Sequence, residues 1–175
     1  MAFPMNAEHI APQEGGFEPQ RQNHFDVEFY GVPGIEELSL SIATATLPGI
    51  SNDPITIPFR NEERHVAGPA RVDDFSISFR DYVDAQVHNS IMTWRLLVFD
   101  PNSGRVGRAA TYKRRGAVFV FGPDGEVERS WELRGVWPTN DPPLSFDSGS
   151  GDQLMLDVTF KVDKIIPSVE NYVSP

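Results

Sequence analysis

Cysteine is absent from this 175-residue chain. Disulfide bridges and thiolate metal sites are therefore excluded. The first residues, Met1 to Met5, show no basic region followed by an apolar stretch, so we expect no secretory signal. Uninterrupted apolar runs are only a few residues long, far short of the roughly 20 residues that a membrane-spanning helix needs. The sequence predicts neither a disulfide scaffold nor a helical membrane protein.

Basic residues are also scarce. The chain has 15 Lys and Arg against 25 Asp and Glu, for a formal net charge of -10. Such a surface repels nucleic-acid phosphates, so binding along DNA or RNA is not expected. The exception is the basic segment between Asp100 and Gly116, which is either a solvated loop or a docking patch for an acidic partner. It contains Arg105, Arg108, Lys113, Arg114 and Arg115.

Patterns of catalytic and ligand-binding residues are missing as well. There is no glycine-rich phosphate loop, no His-Glu-x-x-His and no Gly-x-Ser-x-Gly. The histidines are scattered, and His88 is expected at a surface or edge. The stretch from Asp147 to Asp152 lacks the alternating acids and closing Glu of an EF-hand loop. The neighbouring carboxylates Glu62 and Glu63 would point to opposite faces of a strand. We therefore expect no enzyme, no metal site and no cofactor.

What the chain does contain is alternation of apolar and polar residues. Hydrophobic residues make up 39% of it and phenylalanine occurs 12 times, which favours a folded, β-rich chain. The alternation predicts strands over 24–30, 37–42, 73–80, 116–121, 126–137 and 153–163. The first two are expected to form a hairpin, with Leu38, Leu40 and Ile42 facing inward. Gly122 to Gly125 marks a second hairpin turn.

The segment 50–72 is too long for a plain connection in a compact domain, so it is expected to make contacts. Two strands, 55–59 and 60–67, are predicted there around a turn at 61–63. One helix is predicted next, with Asp81 as its N-cap and Asp84 in its first turn. Its apolar stripe has helical spacing and consists of Val83, Val87, Ile91, Trp94 and Val98.

These elements predict a mainly β fold: an antiparallel β-sandwich or barrel of six or seven strands with one packed α-helix. The barrel domain is expected to span 24–163. Residues 1–23 form either a disordered leader or an arm that uses Phe3, Ile10 and Phe17 as anchors on a neighbour. Residues 164–175 form a C-terminal tail with an apolar set that is expected to pack: Ile165, Ile166, Val169 and Tyr172.

The stretch from Arg134 to Asn140 ends one predicted strand. Trp137 is expected to continue the apolar row of Val127, Arg129, Trp131, Leu133 and Gly135. Pro138 should stop the pairing, and Thr139 and Asn140 should start a turn. On physics alone this is a strand end with an anchoring tryptophan. The same string, Gly135, Val136, Trp137, Pro138, Thr139 and Asn140, resembles the tail tube proteins of phages with contractile tails.

Other pieces of the chain resemble that family in the same order. They are Arg21 to Glu28, Ala43 to Gly49, Val66 to Gly68 followed by Asp73 to Phe75, and Tyr112-Lys113. The likeness covers most of the chain from Arg21 onward. The segments before Arg21 and beyond Asp163 are longer than the family pattern.

The resemblance implies a structural subunit of a contractile tail tube with an Hcp-like fold. Hexameric rings would close a ring-wide barrel and stack into a hollow conduit for DNA inside a sheath. The implied partners are copies of the chain, the sheath protein, baseplate and tail-terminator proteins, and a tape measure protein in the lumen. DNA would pass without specific binding. The subunit would be assembled in the host cytoplasm and reside in the virion.

Three groups of candidate site residues follow from this implication. Contacts between subunits or rings are expected at Leu47, Pro48, Ile55, Ile57, Phe59, Arg60, Glu62, Glu63 and Arg64. The sheath is expected to contact Arg105, Arg108, Lys113, Arg114 and Arg115. The lumen is expected to be lined by Asp26, Glu28, Glu126, Glu128 and Glu132. The alternatives are a baseplate tube-initiator protein, a type VI secretion-like tube protein and a monomeric ligand-binding β-sandwich.

Overall fold

A computed structural model describes residues 20–32, 35–84, 86–149 and 151–168. Most of the expected N-terminal arm, including Phe3, Ile10 and Phe17, lies outside these residues, as do Val169 and Tyr172 of the tail. The described residues contain eleven strands and three helices. In chain order they are β1 (Phe25–Tyr30), α1 (Ile35–Ser41), β2 (Ile42–Thr46), β3 (Ile50–Phe59), β4 (Glu62–Val72), β5 (Phe75–Arg80), α2 (Gln86–Val98), β6 (Phe99–Asp100), β7 (Arg105–Val106), α3 (Ala109–Tyr112), β8 (Arg114–Phe121), β9 (Val127–Pro138), β10 (Met155–Lys161) and β11 (Lys164–Ser168).

The strands pair antiparallel throughout. Seven of them follow the order β1-β8-β9-β10-β5-β2, with β11 on the other side of β9. Residues 130–134 of β9 lie between β8 and β11, and the end of β9 at Trp137 and Pro138 pairs with β10. Strand β9 therefore links two layers, one of β1, β8, β9 and β11 and one of β2, β5 and β10. The predicted mainly β antiparallel fold is confirmed, although the sheet formed by the described residues does not close into a barrel.

The core lies between these layers and is built from the inward rows of the alternating strands. Phe160 stands at its centre, with its ring centroid 5.4 Å from that of Phe29 and 5.6 Å from that of Trp94. Phe75 and Phe79 contact the same ring, at 6.1 and 6.4 Å. All five side chains are almost completely buried. Aromatic pairs at such distances add to the stabilisation that burial of their surface provides.

Helix α2 covers this core as predicted, with Val87, Ile91, Trp94 and Val98 buried. Its beginning was predicted wrongly. The backbone N–H of Asp81 donates to the carbonyl of Leu154, 3.0 Å away, so the chain is still paired alongside β10 there. Asp81 is therefore not the N-cap, and Asp84 and the fully exposed Val83 precede the helix.

The predicted strand at 37–42 is also wrong, because this segment is mostly the helix α1. Leu38 and Ser41 are buried, three residues apart on one helix face, whereas Leu40 is 81% exposed. Ser41 donates its hydroxyl to the Leu38 carbonyl at 2.8 Å. Since β1 pairs with β8, no hairpin forms between the first two elements. A separate strand that the sequence reading missed, β2, follows α1 and pairs with β5.

The other hairpins agree with prediction. Strands β3 and β4 pair over nearly their whole length, with a turn at Arg60 and Asn61 that is shorter and earlier than expected. Strands β8 and β9 flank the predicted Gly122–Gly125 turn. Residues 164–168 of the expected tail form β11, which pairs with β9 and buries Ile165.

Candidate assembly surfaces

The β3–β4 hairpin projects an apolar row that the rest of the described chain leaves uncovered. Every residue of β3 is exposed, and so are nearly all those of β4. Ile55 lies opposite Val66, and Ile57 and Phe59 continue along the same face. Each of these four side chains is about half exposed. Contiguous apolar surface of this kind marks an interaction site more often than a solvated loop.

The tip of this hairpin is basic around an aromatic ring. The guanidinium carbon of Arg64 lies 4.9 Å from the centroid of Phe59, and that of Arg60 lies at 5.6 Å. Arg60 has a positive φ of 58° at the turn. Glu62 lies opposite Phe59, and Glu63 lies opposite Pro58 on the other face. The tip thus carries both charge signs beside its apolar row.

Leu47 and Pro48 lie apart from the other contact candidates. Pro48 is buried, and Leu47 packs against the hydrophobic core. The backbone N–H of Asp73 donates to the Gly49 carbonyl, 3.0 Å away, and closes the base of the hairpin. These two residues therefore anchor the hairpin to the body instead of lying on its exposed face.

Three strands of the seven-stranded sheet have one unpaired edge within the described residues. Strand β1 pairs with β8 alone, β2 with β5 alone, and β11 with β9 alone. An unpaired edge presents a row of N–H and C=O groups that can bond a strand of another chain. Both ends of the seven-stranded path are therefore open to such pairing.

The outer edge of β10, in contrast, is covered by side chains of the Gly135–Asn140 stretch. The side-chain oxygen of Asn140 accepts the Thr159 N–H at 2.7 Å, and its amide donates to the Asp157 carbonyl at 3.3 Å. The N–H and hydroxyl of Thr139 both donate to the Thr159 carbonyl, at 2.8 and 2.9 Å. These residues were expected to start a turn; their side chains instead extend the pairing of β9 with β10.

Gly135 breaks the predicted apolar row. Arg114 lies opposite Val136 and Arg115 lies opposite Arg134, so Gly135 is an extra residue in β9, with a φ of 70°. The bulge reverses the alternation, so Val136 instead of Trp137 is completely buried. Trp137 packs edge-on against the Tyr112 ring at 5.5 Å. At the other end of the row, Val127 is 52% exposed.

Most lumen candidates lie on the outer face of the layer containing β1. Across three neighbouring strands, Glu28 of β1 lies opposite Ala117 of β8, and Ala117 lies opposite Glu132 of β9. Asp26 lies two residues before Glu28 in β1 and therefore on the same face. Glu126 and Glu128 are exposed near the β8–β9 turn. The next row along this face is basic, with Arg115, Arg134 and Lys164 in register. An acidic row and a basic row therefore lie side by side on this surface.

Two local interactions tune the charges on that face. Arg134 binds Glu132 through two hydrogen bonds of 2.8 Å, and this pairing lowers the pKa of the Glu132 carboxyl. The Tyr30 hydroxyl donates to Glu28 at 2.7 Å. This hydrogen bond is the main reason that the pKa of Tyr30 rises to about 12, with partial burial adding to it.

The basic segment is not a single loop. Arg105 lies in the short β6–β7 hairpin, and Arg108 precedes α3; both are exposed. Lys113 is neutralised by Asp163, with Nζ 2.6 Å from Oδ2. Arg114 is half-buried beside Gly31, while Arg115 belongs to the basic row described above. The five candidates are therefore distributed over several elements.

Among the described residues, no cluster of three or more His, Asp or Glu side chains has the arrangement of a metal site. No helix in the described part of the chain is long and apolar enough to cross a membrane. His88 is half-buried on α2.

Comparison with known proteins gives matches in sequence and in structure. No family model matches the chain. It is 25% identical to the tail tube protein gp19 of Enterobacteria phage T4 over 146 residues, which cover 82% of this chain and 88% of the phage protein. It is also 25% identical over 114 residues to the tail tube protein of Serratia phage KSP90, covering 65% of this chain and 64% of that protein.

The fold matches that of a chain from the extended sheath–tube complex of the extracellular contractile injection system PVC. The TM-score is 0.68 at 16% identity, and the match covers 94% of this chain and 99% of the other. A chain from the sheath/tube terminator of the same system matches with a TM-score of 0.69 at 17% identity, covering 87% and 99%. These structural matches show the fold. Together with the sequence matches, they confirm that this chain resembles the tail tube proteins of contractile tails.

Proposed function

We propose that the chain is a structural subunit of the tube of a contractile tail, and that it assembles into hexameric rings stacked inside a sheath. The observation that carries this proposal is the sequence similarity to a phage tail tube protein over most of both chains. The shared fold with a sheath–tube complex supports it. The tail tube relatives are structural proteins by name, which supports a role other than catalysis.

The unpaired edges support lateral assembly. Strands β1 and β2 lie at opposite ends of the sheet path, so one subunit can offer an edge of each kind to two neighbours. Repetition of one such contact around a rotation axis closes a ring and pairs the open edges. The covered edge of β10 then restricts pairing to the other strands.

The hairpin supports stacking of one ring on the next. Ile55, Ile57, Phe59 and Val66 are exposed in the single subunit, and packing on a neighbour would remove them from water. Arg60, Glu62, Glu63 and Arg64 at the tip would complement charges on that neighbour. Leu47 and Pro48 would hold the base of the hairpin.

The remaining roles follow from the same assembly. Asp26, Glu28, Glu126, Glu128 and Glu132 would face the lumen and keep DNA and a tape measure protein from adhering. Arg105 and Arg108 would face the sheath, with Lys113 and Arg114 beside them. Arg115, also expected at the sheath, shares a face with Glu28 and Glu132 and would therefore lie on the lumen side. The body spans 24–163, with 1–23 as an arm and 164–175 as a tail whose first strand joins the sheet. Terminator and baseplate proteins would bind the two ends of the tube in the virion.

Electron microscopy of the purified full-length protein tests this proposal. We expect hexameric rings or long tubes that form in a concentration-dependent way, and sedimentation should show the same assembly. A protein that stays monomeric at high concentration would contradict it. A DNA-retention assay across a salt series should show no binding, and tight retention at low salt would contradict the repelling lumen.

A second candidate is a ring protein at the end of the tube. It is favoured by the match to a sheath/tube terminator chain, which has the same fold with a TM-score of 0.69. Such a protein would form single rings that do not polymerise but bind to tube ends. The same micrographs distinguish the two, since only a tube subunit grows into long tubes.

A further inference from the structure

An open basic depression lies at the end of the sheet where β1 stops and β8 begins. It has a volume of about 560 Å³. Four of its lining residues are cations, namely Lys113, Arg114, Arg115 and Arg134, and among the described residues no Asp or Glu lines it. The chain as a whole has a net charge of -10, so this surface differs in sign from most of the molecule. It attracts anionic groups such as carboxylates.

The acids around the depression leave two of its four cations unpaired. Asp163 binds Lys113 at 2.6 Å, and Glu132 binds Arg134 at 2.8 Å. The other two cations form no ion pair with a described residue. Glu28 lies in the same row as Glu132 and accepts a hydrogen bond from the neighbouring tyrosine hydroxyl. The depression therefore keeps an excess of positive charge after its local pairs are formed.

Arg114 has donors that the subunit leaves unused. Its Nε is buried and has no hydrogen-bond partner among the described residues. Its Nη1 reaches the Lys113 carbonyl only at 3.4 Å. The side chain is held against Gly31, with Nε 3.9 Å from the position that a β-carbon on Gly31 would occupy. A carboxylate is the natural partner of such a guanidinium, because its two oxygens match the fork of N–H donors.

The opposite end of the β8–β9 hairpin is acidic. Its turn, residues 122–126, carries Asp124 and Glu126, and both are exposed. We call these residues the acidic turn. Strand β8 has eight residues, and a strand rises about 3.4 Å per residue, so the acidic turn lies roughly 25 Å from the basic depression. Two glycines and a proline make the acidic turn narrow.

Other charges at that end do not neutralise the acidic turn. Arg21 and Arg129 are exposed there, but neither forms an ion pair with a described residue. Asp26 and Glu128 add two further acids at the same end. One hairpin therefore has a basic end and an acidic end.

We propose that the acidic turn of one copy docks in the basic depression of a second copy, with the carboxylates of Asp124 and Glu126 bound by Arg114 and Arg115. The two surfaces lie at opposite ends of one hairpin, so the contact is head-to-tail and repeats in one direction. The inference rests on the proposed tube function and identifies a charged contact between one ring and the next. The end of a strand borders both faces of its sheet, so the contact lies between the sheath side and the lumen side.

The charge balance favours a second copy over nucleic acid. A net charge of -10 opposes the approach of a phosphate backbone to the small basic surface. A copy of the chain brings two carboxylates on a narrow turn, which matches the two unpaired guanidinium groups in number and in sign. The partner surface is thus present in every subunit.

Charge reversal tests the contact in the full-length protein. Arg115→Glu and Glu126→Lys each place like charges opposite one another, so each should raise the protein concentration needed for tube formation by about tenfold or more. Both residues are exposed, so the thermal midpoint should change little. Asp147→Lys makes the same change of charge in the connection before β10, outside the proposed contact, and should assemble like the wild type.

Mixing the two charge-reversed variants provides the decisive measurement. The unchanged acidic turn of Arg115→Glu meets the unchanged depression of Glu126→Lys, and the two reversed residues also meet as opposite charges. Electron microscopy should therefore show tubes in the equal mixture at a concentration where each variant alone forms none. A mixture that does not assemble would show that these two surfaces do not meet, and would overturn the inference.

The remaining outcomes separate this inference from the proposed function. Tubes from the wild type and, at the same concentration, from both variants alone would overturn the inference and leave the tube function standing. A wild-type protein that stops at single rings would also overturn the inference, and one that stays monomeric would overturn the proposed function as well.

Neutral variants keep the test valid if a reversed charge unfolds the protein. Arg115→Gln and Glu126→Gln should still form tubes, but only at higher concentration than the wild type. Added salt screens charges over about 8 Å at 0.15 M, so it should weaken wild-type assembly more than that of the neutral variants. Equal salt dependence in all three proteins would overturn the inference.

Discussion

The carboxylate of Asp163 lies where a side chain on Gly135 would stand. Its Cγ is 2.6 Å from the position that a β-carbon on residue 135 would occupy. The same carboxylate binds Lys113 Nζ at 2.6 and 2.8 Å, and the Asp163 N–H donates to the Arg134 carbonyl at 3.0 Å. The bulge in β9 thus has two requirements, a positive φ and an empty space for Asp163.

Replacing Gly135 with Ala should therefore destabilise the protein more than a positive φ alone explains. The left-handed backbone costs an L-residue about 1–2 kcal/mol. Gly125 has a similar φ of 81° but has no atom within 4 Å of its β-carbon position, so Gly125→Ala is the matched control. Urea denaturation should show a larger loss for Gly135→Ala, and equal losses would contradict the contact with Asp163.

The double variant Gly135→Ala/Asp163→Ala separates the two costs. Removing the carboxylate makes room for the methyl group, although it also breaks the ion pair with Lys113. We expect the two substitutions to be non-additive, with the double variant more stable than the sum of the single effects predicts. If the losses of stability in the two single variants simply add up in the double variant, the cost of Gly135→Ala comes from the backbone conformation alone and not from the contact with Asp163.

Asn140 should contribute to stability through the edge of β10. Asn140→Ala removes the acceptor of the Thr159 N–H and the donor to the Asp157 carbonyl, at an expected cost of about 1–3 kcal/mol. Asn140→Asp keeps the acceptor and loses only the two longer bonds of the amide, to the Asp141 and Asp157 carbonyls, so it should cost less. Hydrogen exchange of the Thr159 amide should accelerate in the alanine variant alone. Unchanged exchange would show that this amide has another partner.

The hydrogen bond between Tyr30 and Glu28 predicts an unusually late phenol titration. The pKa of Tyr30 rises from its ordinary 10.0 to about 12. A raised pKa in the folded state means that this contribution to stability is fully present below pH 10 and is lost as the pH rises through about 12. Ultraviolet titration should show a late phenol titration that disappears in Tyr30→Phe. In Glu28→Gln that phenol should titrate earlier, and an unchanged late titration would assign the shift to another cause.

The apolar face of the β3–β4 hairpin should be needed for assembly and not for folding. Ile57→Asp places a charge in the exposed row, whereas Thr56→Asp places the same charge on the opposite face. Both residues are exposed, so the thermal midpoint should change little in either variant. Electron microscopy should show that only Ile57→Asp prevents tube formation. Normal tubes formed by Ile57→Asp would show that the apolar row of the hairpin is not part of the contact between stacked rings.

Prediction from sequence succeeded where burial imposes a simple alternation. Phe75, Ile77 and Phe79 are buried in turn, as are Leu156, Val158 and Phe160 on the neighbouring strand. Both strands pack one face against the same core, so every second residue is buried. This alternation of apolar residues was sufficient to predict them. The hairpins at 50–72 and 116–137 were predictable for the additional reason that turn residues separate their strands.

The errors occurred where the spacing of the apolar residues is compatible with more than one secondary structure. Leu38, Leu40 and Ile42 alternate as in a strand, yet α1 buries Leu38 and exposes Leu40. Glu36 and Glu37 near the start of α1 were an available helix signal, since acids favour a helix N-terminus. The glycine within β9 was likewise a signal for a bulge. No local pattern indicates that Asn140 bonds a strand nineteen residues further along the chain.

The position of β9 between three strands has a consequence for changes in chain length. One inserted or deleted residue before Gly135 would shift the register with β8 and β11 together and turn Leu133 and Trp131 away from the core. The connection from Asp141 to Leu154, outside regular structure, meets no such constraint at its described residues. Relatives of this chain should therefore differ in length in that connection, while the distance in sequence from the β8–β9 turn to Gly135 stays constant.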